Sequence, residues 1–371
     1  MSNSPTRRKS LKNGVEILVR GTVQGVGFRP FVFKLACHFS IAGTVTNTSE
    51  GVVIQAAGPQ IFSFIEALSS EAPPLAKIEA LFHRPLEKRL QADSFTIVAS
   101  RSGASSRANI PPDISVCQDC FEELTDPADR RFGYPFINCT NCGPRFSIIE
   151  TIPYDRPKTS MKDFAMCGAC SREYLDPMNR RFHAQPNGCP ACGPAISLHD
   201  SQGRPLNSTN VVAAAITAII QNKVLAIRGL GGFHLCVSGC SAAAVTTLRD
   251  RKNRPDKPLA IMVKDLLQAK KLCVLDDQEK HTLSSPQHPI VLLKPRPGSP
   301  LAPNLAPEMS DIGLMLPYTQ LHHLLFAHPD CRAALVMTCG NISGEPICTY
   351  NDEALDRLAG IADLFILHNL D

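Results

Sequence analysis

Residues Gly21–Arg29, GTVQGVGFR, set three glycines and one arginine between a strand-like run and PFVFKLACHF (Pro30–Phe39), whose apolar spacing is helical. Glycine lacks Cβ, so the backbone at Gly25 and Gly27 can curl until several N–H groups point at one spot. A helix beginning at Pro30 would aim its positive end at the same spot, beside the fixed charge of Arg29. That is an anion site in outline. A tight strand-to-helix turn carrying an exposed arginine explains the glycines equally well when the nine residues are taken alone.

Working outward, strands are predicted at 15–20, 43–45, 52–56, 78–83 and 95–98, with helices at 30–39 and 61–68. The order begins β-α-β-β-α-β, that of the split βαβ, ferredoxin-like sandwich. SRSGASSRANIPPD (100–113) is rich in Ser, Gly and Pro and has no apolar period, so it reads as a linker with a boundary near residue 105.

The chain has 371 residues, enough for two or three domains of roughly 100–150 residues each. Its net charge of +4 and 44% hydrophobic content suit an ordinary soluble protein, so any anion site must be local and no nucleic-acid partner is expected. The polar, basic start MSNSPTRRKSLKNG lacks the apolar core of a secretory signal, and no run reaches the roughly 18 apolar residues of a membrane span. A cytoplasmic protein with a short leader and no membrane partner is expected.

Eight of the fifteen cysteines fall in four C-x-x-C pairs. They belong to a repeat: CQDCFEELTDPADRRFGYPFINCTNCGP is followed, 50 residues on, by CGACSREYLDPMNRRFHAQPNGCPACGP. A reducing compartment disfavours disulfides, and Cys117, Cys120, Cys139, Cys142, Cys167, Cys170, Cys189 and Cys192 supply the thiolates of two tetrahedral structural zinc sites. Each copy can close its own site, or outer and inner pairs can interleave; the spacing alone allows both. Four thiolates leave no position for water, so the metal would hold the fold and take no part in bond making. His183, in RRFHAQP, reads as a packing or substrate-facing histidine.

From about residue 207, short apolar runs (VLAIRG, PLAIMV, PIVLLK, ALVMTCG) alternate with helical patterns at 211–220 and 241–249, an α/β texture with mixed strand pairing. Within it RDRKNRPDKPLAIMV packs Arg249, Arg251, Lys252, Arg254 and Lys257 into nine residues, dense enough to hold a polyphosphate, although such runs are more often solvated helix faces.

GTVQGVGFR followed by GTVTNTSEGVVIQAAGP resembles the acylphosphatase family. That resemblance implies that Gln24, Gly25, Val26, Gly27 and Phe28 cradle a phosphate, that Arg29 grips it, and that Asn47 positions a water for in-line attack on an acyl phosphate. KNRPDKPL and MTCGNISG resemble the YrdC-like threonylcarbamoyl-adenylate synthases. There Lys252, Arg254 and Lys257 would contact ATP phosphates and Thr338, Asn341 and Ser343 would complete the pocket. Cys339–Gly340 departs from that family, which usually carries Ser–Ala.

Acylphosphatase-like residues 12–101, a double C4 zinc-finger module at 113–198 and a YrdC-like α/β domain at 206–371 together resemble the N-terminal half of the HypF family, carbamoyltransferases of nickel–iron hydrogenase maturation. The fold expected is therefore multidomain, α+β and α/β. The resemblance implies two structural zinc ions, with ATP and Mg2+ as cosubstrate. It also implies cleavage of carbamoyl phosphate, formation of carbamoyl-adenylate with release of pyrophosphate, and delivery of the carbamoyl group to the C-terminal cysteine of a partner, HypE, as precursor of a cyanide ligand. The family continues into a transferase domain beyond the point where this sequence ends, at LFILHNLD. Either the chain is a cut or naturally short form, or the partner accepts the adenylate directly. Two other readings fit parts of the sequence: a plain acylphosphatase with an appendage, and a zinc-stapled scaffold for nucleotide or RNA.

Overall fold

The computed structural model describes residues 13–73, 75–100 and 111–370. Most of the expected leader MSNSPTRRKSLKNG (residues 1–12 of its 14) and most of the expected linker, including the boundary near residue 105, lie outside the described residues. By internal packing the chain divides into two compact units: the part up to Asp113 together with Asn138–Gly193, and Ile114–Ile137 together with Pro194–Asp371.

In the first unit, β1 (Val15–Thr22) alternates buried and half-buried residues along its length, the period-2 pattern of a strand with one face on a core. α1 (Phe28–His38), β2 (Ala42–Thr48), β3 (Gly51–Ala57), α2 (Ile61–Ser70), β4 (Lys77–Pro85) and β5 (Phe95–Ile97) follow. The sheet order is β4-β1-β3-β2-β5, antiparallel throughout except for the parallel β2–β5 pair. Val15, Ile17 and Val19 pack with Val32 and Leu35 of α1 and Phe64 and Leu68 of α2 in one core.

α1 starts two residues earlier than its sequence pattern suggests. Gly27 caps it in the left-handed conformation (φ 74°), so Arg29 sits in the first turn and Pro30 is the third helical residue. Proline is tolerated there because an N–H in the first turn has no intrahelical acceptor.

Each cysteine repeat contributes one short helix, α3 (Gln118–Thr125) and α4 (Gly168–Leu175), capped by the first cysteine of its copy, and α5 (Val211–Ile220) follows them along the chain.

The second unit is built on a mixed eight-stranded sheet. Its strands are β6 (Ile196–Asp200), β7 (Leu225–Arg228), β8 (Phe233–Ser238), β9 (Ile261–Met262), β10 (Val291–Leu293), β11 (Ile312–Met315), β12 (Leu335–Cys339) and β13 (Leu364–His368). They run in the order β10-β11-β9-β12-β8-β7-β13-β6, with β11–β9 and β13–β7 parallel. Two cores flank the sheet, because its central strands bury both faces: Val237 and Phe365 belong to one core, Cys236 and Ile366 to the other. Among the described residues no helix is long and apolar enough to cross a membrane.

Phe64 is fully buried against Phe95, ring centroids 6.4 Å apart. Phe64→Ala should cost about 3–5 kcal/mol in the unfolding transition of the first unit, read by denaturant titration of β-sheet amides.

Candidate functional site

The turn between β1 and α1 is concave because Gly25 and Gly27 both take left-handed φ angles, 70° and 74°. A side chain on Gly25 would press on Arg145 Cδ at 3.2 Å and on Pro111 at 3.3 Å. The turn lies inside its own unit with a second stretch packed over it. Arg145 is buried and spreads its guanidinium over five carbonyls: Gly25 through a very short bond, Cys142 (3.1 Å), Pro144 (2.8 Å), Cys139 (3.1 Å) and Thr140 (2.9 Å). The bond to the Gly25 carbonyl ties the turn to the segment that carries Arg145.

Gln24 locks the other side. Its Nε2 donates to the carbonyls of Thr48 (2.7 Å) and Gly51 (3.0 Å), and its Oε1 accepts from the Tyr154 N–H (3.0 Å).

Arg29, 7% exposed, and Asn47, 1% exposed, come from α1 and β2 and meet on one atom. The Tyr154 carbonyl accepts from Asn47 Nδ2 at 3.2 Å and from Arg29 Nη2 at 3.4 Å. Arg29 Nη2 also donates to Asp155 Oδ1 at 3.0 Å, and Nη1 to Ser100 Oγ at 3.4 Å. Asn47 Oδ1 is buried and has no hydrogen-bond partner. It is a free acceptor beside a cation. The cavity they line holds about 20 Å3, room for roughly one water, and His183 and Gln185 close its far wall.

Burial, and next the charge of Arg29, push the His183 imidazole down to about 4, so at neutral pH it is uncharged. Desolvation drives the Tyr154 phenol up to about 12.

The second copy of the cysteine repeat closes on itself. The Sγ atoms of Cys167 and Cys189, Cys189 and Cys192, and Cys192 and Cys170 stand 3.8, 3.7 and 3.6 Å apart. Four sulfurs about 2.3 Å from one zinc ion lie roughly 3.8 Å from each other, so the donor set fits that metal. The Cys167 thiol is drawn down to about 6, first by a backbone hydrogen bond from Cys170, which favours the thiolate a metal needs. Cys139 and Cys142 form the matching knuckle of the first copy, 3.8 Å apart, and the sulfurs of Cys167, Cys170, Cys189 and Cys192 all lie within 4.8 Å of one another. The interleaved alternative is thereby removed.

In the second unit, α6 (Ala242–Lys252) ends at Asn253 in the left-handed conformation, which turns the basic run back on itself. Arg249 gathers the loop by donating to the carbonyls of Arg254 (2.8 Å), Pro255 (2.7 Å) and Lys257 (3.1 Å). Lys252, 2% exposed, donates to Cys339 O (2.7 Å), Asn341 O (2.6 Å) and Asn341 Oδ1 (2.7 Å). Burial, then the neighbouring Arg254, lowers its ammonium to about 8.

A cavity of about 600 Å3 opens beside this loop, lined among others by Arg254, Thr338, Cys339, His234, His288 and Tyr318. Of the six residues expected at a nucleotide, Arg254 and Thr338 line it. Lys252 and Asn341 lie outside its lining and bond to each other, Lys252 also holding the carbonyl of the lining residue Cys339, and Lys257 and Ser343 are exposed outside the lining. Buried Arg254 Nε has no partner.

Sequence reasoning missed Arg145, Tyr154, Asp155 and Gln185. They lie in CGPRFS (142–147), IPYDRP (152–157) and RRFHAQP (180–186), where no spacing rule marks them as parts of a site on the β1–α1 turn.

Residues 15–97 match the acylphosphatase family. Residues 116–149 and 166–199 each match the HypF finger, and 217–371 match a family described as "Telomere recombination", that of Sua5, YciO and YrdC. The carbamoyltransferase HypF2 of Cupriavidus necator is 46% identical over 371 residues, covering 96% of this chain and 46% of that protein. HypF of Synechocystis is 48% identical over 360 residues, with 96% and 46% covered. A crystal structure of full-length HypF in a phosphate- and nucleotide-bound form superposes with a TM-score of 0.91 at 45% identity, covering 96% of this chain and 47% of that one. The chain belongs to the HypF family. It spans about half the length of the curated HypF relatives it matches. T. kodakarensis HypF shares the fold at a TM-score of 0.88 and 41% identity.

Two outcomes follow from these sites. Metal analysis of purified protein should return two zinc ions per chain and about one in Cys189→Ala, with helix signal lost around Gly168–Leu175. His234, held at about 4 by burial, is neutral in the fold, whereas an unfolded histidine takes a proton near 6.5. Its contribution to stability is therefore complete above about pH 6.5 and fades as pH falls toward 4. NMR titration should place its midpoint near 4, and His234→Gln should flatten the fall of the denaturation midpoint across that window.

Proposed function

We propose that the chain hydrolyses carbamoyl phosphate at the β1–α1 turn and uses the product, with ATP, at the cavity beside α6. The functional division proposed is 12–101 for the acylphosphatase-like part, 113–198 for the zinc fingers and 206–371 for the nucleotide part. The observation that carries the reading is the meeting of buried Arg29 and Asn47 over a left-handed glycine turn, with Asn47 Oδ1 left open as an acceptor.

In the first step the turn's N–H groups and the Arg29 guanidinium hold the phosphate, and charge developing on its oxygens is met in a site that excludes water. Asn47 Oδ1 accepts a hydrogen bond from one water and aims it at phosphorus. The new P–O bond forms as the bond to the carbamoyl oxygen breaks, giving inorganic phosphate and carbamate. An acyl phosphate already has a good leaving group, so orientation and charge stabilisation suffice. His183, neutral at pH 7, adds no second positive charge.

In the second step a carbamate oxygen attacks the α-phosphorus of ATP, with Mg2+ accompanying the nucleotide, and pyrophosphate leaves. Arg254, whose Nε has no partner, and Thr338 line the cavity where the phosphates would lie. Lys252 holds the 339–341 loop, which gives it a part in shaping that cavity. The carbamoyl group is then destined for the C-terminal cysteine of a HypE partner, in the cytoplasm. Support for the whole sequence comes from relatives bearing the name carbamoyltransferase and from the phosphate- and nucleotide-bound state of the full-length HypF structure.

The test is product release. Phosphate should appear from carbamoyl phosphate and fall at least a hundredfold in Arg29→Ala, while pyrophosphate should appear only when ATP and carbamoyl phosphate are both present. Phosphate release without carbamoyl-dependent pyrophosphate would reduce the chain to an acylphosphatase with an appendage. Absence of both activities would leave only a binding scaffold.

A further inference from the structure

The Arg29 environment pairs two sets of groups. One set donates: the Arg29 guanidinium and Asn47 Nδ2. The other accepts: the Tyr154 carbonyl and the Asp155 carboxylate, both from the stretch joining the two cysteine copies. The donors are more than nine-tenths buried, and Asp155 is 24% exposed. With about 20 Å3 free, an acyl phosphate cannot enter without separating the two sets.

Separation has a chemical condition. Phosphate oxygens replace the acceptors on Arg29, but they offer nothing to the Asp155 carboxylate, which loses its donor, or to the Tyr154 carbonyl, which keeps only Asn47 Nδ2. A partly buried carboxylate stripped of its cation is costly unless a new donor reaches it. An acyl group bearing N–H on the carbon next to the phosphate oxygen supplies that donor; one bearing a methyl does not.

Resting on the acyl phosphate reading above, we propose that Tyr154 O and Asp155 form the acyl-group half of the site and select carbamoyl over alkanoyl phosphates by accepting the carbamoyl N–H groups. Their neighbours agree with this part. Gln185 Oε1 already accepts from the Arg156 N–H (2.8 Å) and the Tyr174 hydroxyl (3.1 Å), and Gln185 Nε2 donates to His183 O (2.7 Å), so that side chain has no free acceptor to compete. Gln24 pins the Tyr154 N–H at 3.0 Å, which keeps the Tyr154 carbonyl aimed at Arg29 and Asn47. A site built to bond a substrate N–H discriminates strongly against an isostere lacking it, because the site's own polar groups are then left unpaired.

Asp155 therefore acts as a specificity residue, contributed by the finger segment to a site otherwise built on the β1–α1 turn. The experiment measures kcat and KM of the full chain for carbamoyl phosphate and acetyl phosphate, which differ by NH2 against CH3. The unaltered protein should prefer carbamoyl phosphate by about 10–100-fold in kcat/KM. Asp155→Ala should bring the ratio within about threefold, and Asp155→Asn, which keeps one acceptor oxygen, should retain an intermediate preference. Zinc content checks that each variant is folded. Equal turnover of both substrates by the unaltered protein, or an undiminished preference in a zinc-loaded Asp155→Ala, overturns the assignment while leaving an acylphosphatase intact. Hydrolysis of neither substrate overturns both.

Discussion

A guanidinium that is 93% withdrawn from water must be surrounded by acceptors, and the placement of Arg29 makes that the governing constraint of the first unit. Among the described residues, its own part of the fold supplies Ser100 Oγ at 3.4 Å and no carboxylate. The other acceptors arrive from Tyr154 and Asp155, more than 120 residues along the chain. Arg145 repeats the solution from the opposite direction: carried on the finger segment, it satisfies its donors on the Gly25 carbonyl and on the 139–144 backbone. Each of the two stretches thus carries an arginine with a donor bonded to an acceptor on the other.

The same economy of charge organises the second unit, with a different outcome. Arg249 and Lys252 are buried, yet their hydrogen bonds run mostly to backbone carbonyls. Carbonyl dipoles satisfy the hydrogen bonds without cancelling the charge, so a net positive potential persists around the loop at 253–257 and the adjoining cavity. Arg254, with an unpartnered Nε at that cavity, is where the potential is most available to a polyanion.

Much of this was legible in the sequence because it is local. The alternation in Val15–Val19 marks a strand, the paired C-x-x-C knuckles mark closed four-thiolate sets, and Gly25, Gly27 and Arg29 lie within five residues of one another. Asn47 was reached through resemblance to a family, and the fold explains its position: β2 and β1 both flank β3, which brings position 47 to the end of the sheet where the turn lies. What could not be read was long-range or main-chain. Tyr154 contributes a carbonyl, which every residue possesses, and nothing in IPYDRP signals which turn it will cover. The density of basic residues at 249–257 suggested direct ligands, whereas Lys252 and Arg249 spend their donors on the loop itself, a distinction set by backbone path.

The central claim is that a curled backbone and one buried guanidinium form an anion site whose acyl side is furnished by the finger segment. The most direct measurement is a titration of the full chain with inorganic phosphate, followed by NMR of backbone amides and arginine side chains. The account predicts saturable shifts at the Gly25, Val26 and Gly27 amides and at the Arg29 guanidinium, with Asp155 shifting in step as it gives up its partner. Saturable phosphate binding that leaves these signals unmoved would contradict it.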